Sequence, residues 1–408
     1  MPDDLLQPRY ADSFRCVGPD CEDSCCQGLG VYVDKAAYKK YRATPSLRGL
    51  ASQHIAINTD SPDNFKHARI KFKSDNVCPF LDSDKLCIIQ KEHGADFLSK
   101  TCSRYPRALA RFDGSMQKAL YLSCPEAARL VLLNPQLLPS PDAHGYEIFR
   151  LENSHPSANP QPWSRQLRSF GLQVLQDRAY PLWQRLFVLG IVCRRVRELT
   201  AVQQISQVPK LIGQYAEMMA QGLLRPHLDG IPARPDIQLD LVIQLIRRRY
   251  QVEQPEHGFA ASVADFLMGI QHSPDAPLQG PVIHYEEAYS GYYQRFSQAY
   301  PAFLENYLIN YIFRTRFPFA DSVDCVEPTI DPLRSLLLMV FHYRLLHSLL
   351  IGAAGRYGED FSSTRAVQIA QRFARSVEHN VGFLEQLKAL AGTPDFQHAD
   401  GLAVLLAN

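Results

Sequence analysis

Eight of the ten cysteines in this 408-residue chain fall within its first 124 residues: Cys16, Cys21, Cys25, Cys26, Cys78, Cys87, Cys102 and Cys124. Only Cys193 and Cys325 lie outside that block. Thiols gathered in this way serve as disulfides, as structural zinc ligands or as ligands of an iron–sulfur cluster. Disulfides belong to oxidising compartments. The opening Met1-Pro2-Asp3-Asp4-Leu5-Leu6 has neither the basic nor the apolar region of a secretory signal. A chain of this length also buries a core without covalent staples. Reduced thiolates are soft ligands for zinc or iron, so the block reads as metal-binding in a cytoplasmic protein.

The spacing is less specific. It runs C-x4-C-x3-C-C, then a gap of 51 residues, then C-x8-C-x14-C, and ends at Cys124. Zinc knuckles pair their cysteines closely, and ferredoxin runs have a tighter repeat; neither matches. A radical methyl-donor motif, C-x3-C-x2-C, fits at Cys21 and Cys25 and fails at Gly28. Spacing alone points to a metal and leaves its identity open.

Lys plus Arg is 43 and Asp plus Glu 42, a net charge of +1 that gives no reason to expect a nucleic-acid partner. The stretch Ser335 to Ala354 is apolar enough to suggest a membrane span. His342, Arg344 and His347 interrupt it, which argues for a buried helix and no transmembrane segment. The same three residues read as a satisfied polar set rather than a metal site.

Local patterns indicate a small α+β head on a helical body, mostly α overall. Asp34 is placed to cap a short helix carrying Ala37, Tyr38 and Tyr41. Ala68 to Lys73 alternates like a half-buried strand, and Cys87 to Lys100 reads as one helix leading into Cys102. Asp113-Gly114 suggests a hairpin turn between Ala108–Phe112 and Met116–Leu120. Six prolines between Pro135 and Pro162 exclude regular structure there. The expected organisation is a cysteine-rich metal or iron–sulfur domain over 1–132, a Pro-rich linker over 133–163 and an all-α domain over 164–408. Helical periodicity starts with Leu167, Phe170, Val174 and Leu175 and resumes with Trp183, Leu186 and Cys193, whose thiol reads as a buried structural one. It returns near 236–251, 259–271, 302–313, 330–353 and 364–391.

The run Cys16-Val17-Gly18-Pro19-Asp20-Cys21-Glu22-Asp23-Ser24-Cys25-Cys26-Gln27-Gly28 resembles the bacterial flagellin lysine N-methylases. So do Cys78-Pro79-Phe80-Leu81-Asp82, Leu86-Cys87-Ile88-Ile89-Gln90 and Leu98 to Arg107, with Cys102, Tyr105 and Pro106. In the body, Phe303-Leu304-Glu305-Asn306-Tyr307-Leu308 and Phe317-Pro318-Phe319 are similar to the same family. The pattern departs at Leu29, where the family has Trp, and at Ser103, where Arg is usual.

The resemblance implies transfer of methyl groups from S-adenosylmethionine to flagellin lysines, and a [4Fe–4S] cluster held by this cysteine motif, with zinc as the alternative metal. All eight cysteines are candidate ligands. They are expected to act from both blocks, 16–26 and 78–124, because a shared metal would pin two loosely tethered segments. Glu22 and Asp23 read either as ligands or supporting acids, or as a helix-starting acidic surface beside them. The residues give no independent sign of a donor pocket, since the strand, glycine-rich loop and ribose-binding acid of the usual fold are not found. The tyrosines from Tyr285 to Tyr311 have helical spacing and read as core. Glu305 and Asn306 read either as site residues or as polar groups facing water. The rival to the enzyme is a non-catalytic metal-binding or redox module.

Overall fold

The computed structural model describes residues 9–59, 63–73, 76–112, 115–138, 163–274, 277–319 and 331–408. The Asp113-Gly114 turn, Cys325 and the prolines from Pro139 to Pro162 lie outside them. The chain divides into two compact units. The cysteine-rich unit comprises Ser13–Ala108 with Cys124–Ala127, and so contains all eight clustered cysteines; the helical unit comprises Met1–Asp12, Leu109–Ser123 and Ala128–Asn408.

In the cysteine-rich unit, Asp34 accepts from the Ala37 amide at 3.1 Å and starts the helix Lys35–Ala43. Pro45 opens the next, Pro45–His54, since its missing amide hydrogen costs nothing at a first helical position. Three short strands, β1 (Tyr32–Val33), β2 (Ile55–Ile57) and β3 (Ala68–Ile70), form an antiparallel sheet in the order β1-β3-β2. Val33 pairs with Ala68 and Ile55 with Ile70. The alternation across Ala68 to Lys73 thus yields a strand only to Ile70; beyond it the Lys71 amide goes to the His54 carbonyl and Lys73 to Val77. Val33, Tyr41, Leu47, Ile70, Phe80 and Ile89 make one core, and Cys78 is part of it.

Cys87 to Lys100 is not one helix. Gly94, at φ +83°, ends the helix Ile88–His93 in a conformation that side chains disfavour. A short turn follows, and Ser99 then caps a new helix, Lys100–Arg104, by accepting from the Cys102 amide at 3.3 Å.

The expected hairpin strands are present as β4 (Arg107–Phe112) and β5 (Ser115–Leu120), which pair with each other. The helical unit is built around the helix Pro332–Tyr357, buried from Leu333 to Ala354 apart from a half-buried Arg334. Among the described residues it alone is long and apolar enough to cross a membrane, and 94% of that apolar window is buried within the protein. It is the core of its unit. The helix His257–Gly269 crosses it backbone to backbone at Gly269 and Gly352. A methyl group on Gly352 would stand 2.8 Å from the Phe266 Cα.

Buried polar side chains tie the remaining elements down. Arg344 donates to the Leu405 carbonyl at 2.8 Å and to Leu406 at 3.2 Å, capping the final helix Ala399–Leu406 where its free carbonyls concentrate. Asn310 accepts from the Tyr10 hydroxyl at 2.8 Å and the Leu120 amide at 3.1 Å, and donates back to the Leu120 carbonyl at 2.9 Å. The 364–391 segment is interrupted: Ser363–Phe373 passes into a π-helical turn, Ala374–Glu378, before Val381–Ala391. The tyrosine series is interrupted likewise, by a π-helical turn at Tyr289–Tyr293. Tyr285, Tyr293, Tyr307 and Tyr311 are core, whereas Tyr292 and Tyr300 are exposed. Cys193 is fully buried, as its place on the apolar stripe indicated.

The glycine crossing yields a clear expectation for urea unfolding. Gly352→Ala must displace Phe266 and is expected to cost about 3 kcal/mol, within the range of overpacked cores. Gly213→Ala, which meets nothing within 4 Å in the helix Val208–Ala220, is expected to be neutral or to add up to about 1 kcal/mol. Equal effects at the two sites would contradict the close crossing.

Candidate metal centre

The two cysteine blocks are zipped together by the backbone. Gln27 and Val77 form an antiparallel bridge, the Gly28 amide donates to the Asn76 carbonyl at 3.0 Å, and the Cys78 amide donates to the Cys26 carbonyl at 2.8 Å. Cys78 and Cys87 are folded towards each other by Asp82, whose Oδ1 accepts from the Asp84 and Leu86 amides, both at 2.9 Å. A bridge between Leu81 and Cys87 closes that loop. Phe80, 1% exposed, anchors it in the core. Asp34 fixes the third approach: its other oxygen accepts from the Lys100 amide at 2.8 Å, holding the start of the Cys102 helix. Burial alone would raise the Asp34 carboxyl, but these backbone donors and the Lys100 charge bring it below the ordinary carboxylate value.

This arrangement brings Cys25, Cys78, Cys87 and Cys102 within electrostatic reach of one another, every pair included. Cys25 belongs also to a second grouping, with Cys21 and Cys124, and Cys16 adjoins Cys21. Cys26 packs against the apolar core. Glu22 is exposed and Asp23 half-buried.

Burial is the largest influence on these thiols. It pushes Cys78 up to about 12, Cys124 to about 12 and Cys102 to about 11, and raises Cys21 and Cys87 as well; neighbouring thiols push the same way. Opposing this, hydrogen-bond donors are aimed at the sulfurs. Cys87 stands at the head of the helix Ile88–His93 and receives the Ile89 and Gln90 amides. Cys124 receives those of Glu126 and Ala127, at the head of Pro125–Leu132. Cys102 receives the Ser99 hydroxyl. Helix starts favour thiolate over thiol, and N–H donors to sulfur are among the features that set cluster potentials.

The donor set suits a thiolate-bound metal: four soft ligands from separate segments, Cys78 buried, Cys87 half-buried and Cys25 and Cys102 exposed, most with a polar group ready to stabilise negative sulfur. Among the described residues, however, no three His, Cys, Asp or Glu side chains already stand in a metal-holding arrangement. Holding one would require these side chains to turn inward.

In the helical unit Glu305 and Asn306 are buried, at 3% and 1% exposure, so neither faces water. Glu305 is braced by Arg178 at 2.9 Å and Arg185 at 2.9 Å. Asn306 donates to the Val131 and Asn134 carbonyls at 3.0 and 2.7 Å. Glu378, on the π-helical turn, accepts from the Tyr307 hydroxyl at 2.7 Å and pairs with Arg314 at 3.1 Å. His379 meets the Ser123 hydroxyl at 2.8 Å, and burial followed by the Arg314 charge lowers it to about 4, leaving it neutral at pH 7. His342, Arg344 and His347 are core residues. A cavity of 490 Å³ is lined by Asp177, Tyr180, Met219 and Arg225, with Arg225 stacked 5.0 Å from the Tyr180 ring. The chain's one Gly-x-Gly, Gly28-Leu29-Gly30, precedes a strand instead of following one. That is the wrong order for a phosphate-binding loop.

Residues 168–405, well over half of the chain and all within the helical unit, match the family model of the FliB lysine N-methylase C-terminal domain. The chain belongs to the FliB lysine N-methylase family. Two full-length relatives agree. The proteins named lysine-N-methylase from Salmonella typhimurium strain LT2 and Salmonella choleraesuis are each 23% identical over 393 residues, covering 92% of this chain and 95% of theirs. The flagellar biosynthetic protein FliU of Salmonella muenchen is 34% identical over 136 residues, which is 33% of this chain and 80% of FliU. No solved structure matches this FliB family member. The FliB domain match lies outside the thiol block, whereas the alignments to the two lysine-N-methylases span most of the chain.

The raised thiols set a pH dependence. A thiol with a raised pKa holds its proton to higher pH, so thiolate, the reactive form, appears later. In metal-free protein, alkylation of Cys78, Cys102 and Cys124 is expected to be slow at pH 7.5 and still to rise about tenfold per unit near pH 10, where an ordinary thiol has levelled off. Peptide mass spectrometry measures each site; a plateau below pH 9.5 at all three would contradict the desolvated cluster.

Proposed function

We propose that this protein is a cytoplasmic S-adenosylmethionine-dependent lysine N-methyltransferase acting on flagellin, with a [4Fe–4S] cluster in its cysteine-rich unit. The observation that carries the reading is membership of the helical unit in the lysine N-methylase family. The names of full-length relatives and of FliU support the reaction and the flagellar substrate. The convergence of four thiols supports the cluster.

Cys25, Cys78, Cys87 and Cys102 would hold the cluster, and the amides of Ile89 and Gln90 with the Ser99 hydroxyl would stabilise its ligating sulfurs. Bound there, with a thiolate on every iron, it would supply one-electron chemistry and a clamp between the two cysteine blocks. Asp34 and Asp82 act as positioning residues: one ties the Cys102 helix to the core and the other closes the Cys78–Cys87 loop. In the helical unit the Glu305 and Glu378 ion pairs keep a rigid frame. The amine to be methylated must be neutral, since a protonated lysine has no lone pair for the methyl carbon.

The test is methyl transfer from isotope-labelled S-adenosylmethionine to purified flagellin, with protein prepared without oxygen. Label on flagellin lysines is the expected result, abolished in a Cys102→Ala variant that keeps its far-ultraviolet circular dichroism. Full transfer by that variant would remove the cluster from the reaction. No transfer by the metal-loaded wild type would leave the cysteine-rich unit as a non-catalytic metal or redox module.

A further inference from the structure

We infer that the outward face of the small sheet, together with the adjoining helix Lys100–Arg104, is a docking surface for an acidic, extended stretch of a protein partner. Tyr32 on β1 and Arg69 on β3 are register partners, so their side chains share one face of the sheet. The Tyr32 ring carries two cations, the Arg69 guanidinium and the Lys66 ammonium, each 5.7 Å from its centroid. Phe65, next in the chain and 49% exposed, carries two more, Lys100 at 4.3 Å and Arg104 at 5.6 Å. The result is one continuous surface of two rings and four cations.

Three features favour an acidic protein segment. Arg69, Lys100 and Arg104 are exposed, and none forms an ion pair with a carboxylate among the described residues. The rings hold these side chains in place without neutralising them, so little conformational freedom is lost when a carboxylate arrives. The nearby acid, Asp63, is committed to the turn: its Oδ1 accepts from the Phe65 and Lys66 amides at 2.6 and 2.5 Å. Guanidinium groups take carboxylates in two-point contacts, and exposed aromatic rings suit the side chains between them. A nucleic acid fits less well, because the chain has no general excess of positive charge. The inference rests on the methylase reading only in supposing that the partner is a protein.

Fluorescence anisotropy of full-length protein with fluorescein-labelled poly-L-glutamate tests it. Saturable binding that weakens with added salt is expected, and Arg69→Glu/Arg104→Glu should weaken it about tenfold or more. Lys210→Glu, on an exposed part of the helical unit, should leave it unchanged. Arg69→Gln/Arg104→Gln carries the test if the charge-reversed pair does not fold, with an intermediate loss expected. Binding of a labelled single-stranded oligonucleotide as tight as that of polyglutamate would overturn the inference, as would binding unaffected by either pair. Flagellin is titrated separately: polyglutamate binding without flagellin binding or methylation would sink the flagellin reading and leave the surface standing.

Discussion

A thiol crowded by other thiols holds its proton until something positive shares its space, and the cysteine-rich unit places Cys78, Cys87 and Cys102 in that situation, with Cys25 within electrostatic reach of all three. Its short elements serve that arrangement. Three strands of two or three residues and helices of five and six could not hold a fold through their own hydrogen bonds. They persist because Phe80, Ile89 and Tyr41 share one core with Cys78, and because Asp34 and Asp82 replace missing ladders with buried or charged backbone contacts. A metal binding there would exchange protons for charge, so uptake and folding of this unit would be coupled.

The helical unit works on the opposite principle. Its core is large, and its buried carboxylates are already paired. Glu305 and Glu378 are held by arginines, and Arg344 holds the chain end. Buried pairs of this kind contribute little net stability, but removing one partner leaves a stranded charge at a cost of about 3–5 kcal/mol. They fix geometry more than they stabilise it, which suits a body that must present a defined surface to a protein substrate.

Much of this was legible in the sequence where cause and effect lie close together. Asp34 and its helix, the strand at Ala68, the hairpin strands and the buried apolar stretch around Leu338 depend on neighbours within a few residues. The break at Gly94 was not legible, because a single glycine inside a helical pattern more often costs stability than ends the helix. That break gives Cys102 its own helix start. Burial of Glu305 depended on Arg178 and Arg185, 127 and 120 residues away in the chain. No local pattern announces such a pair. Cysteine spacing suggested thiol ligands, but the grouping of Cys25 with Cys78, Cys87 and Cys102 required the backbone zipper between Gln27 and Val77.

The central claim is that these four cysteines, drawn from both blocks, form the ligand set. Iron and acid-labile sulfide, measured on oxygen-free full-length protein and its single Cys→Ala variants, test it most directly. The account predicts about four irons and four sulfides per chain in the wild type and in Cys26→Ala, with loss of the cluster in each of Cys25→Ala, Cys78→Ala, Cys87→Ala and Cys102→Ala. Zinc without sulfide in the wild type, or full iron content retained by any of those four variants, would contradict it.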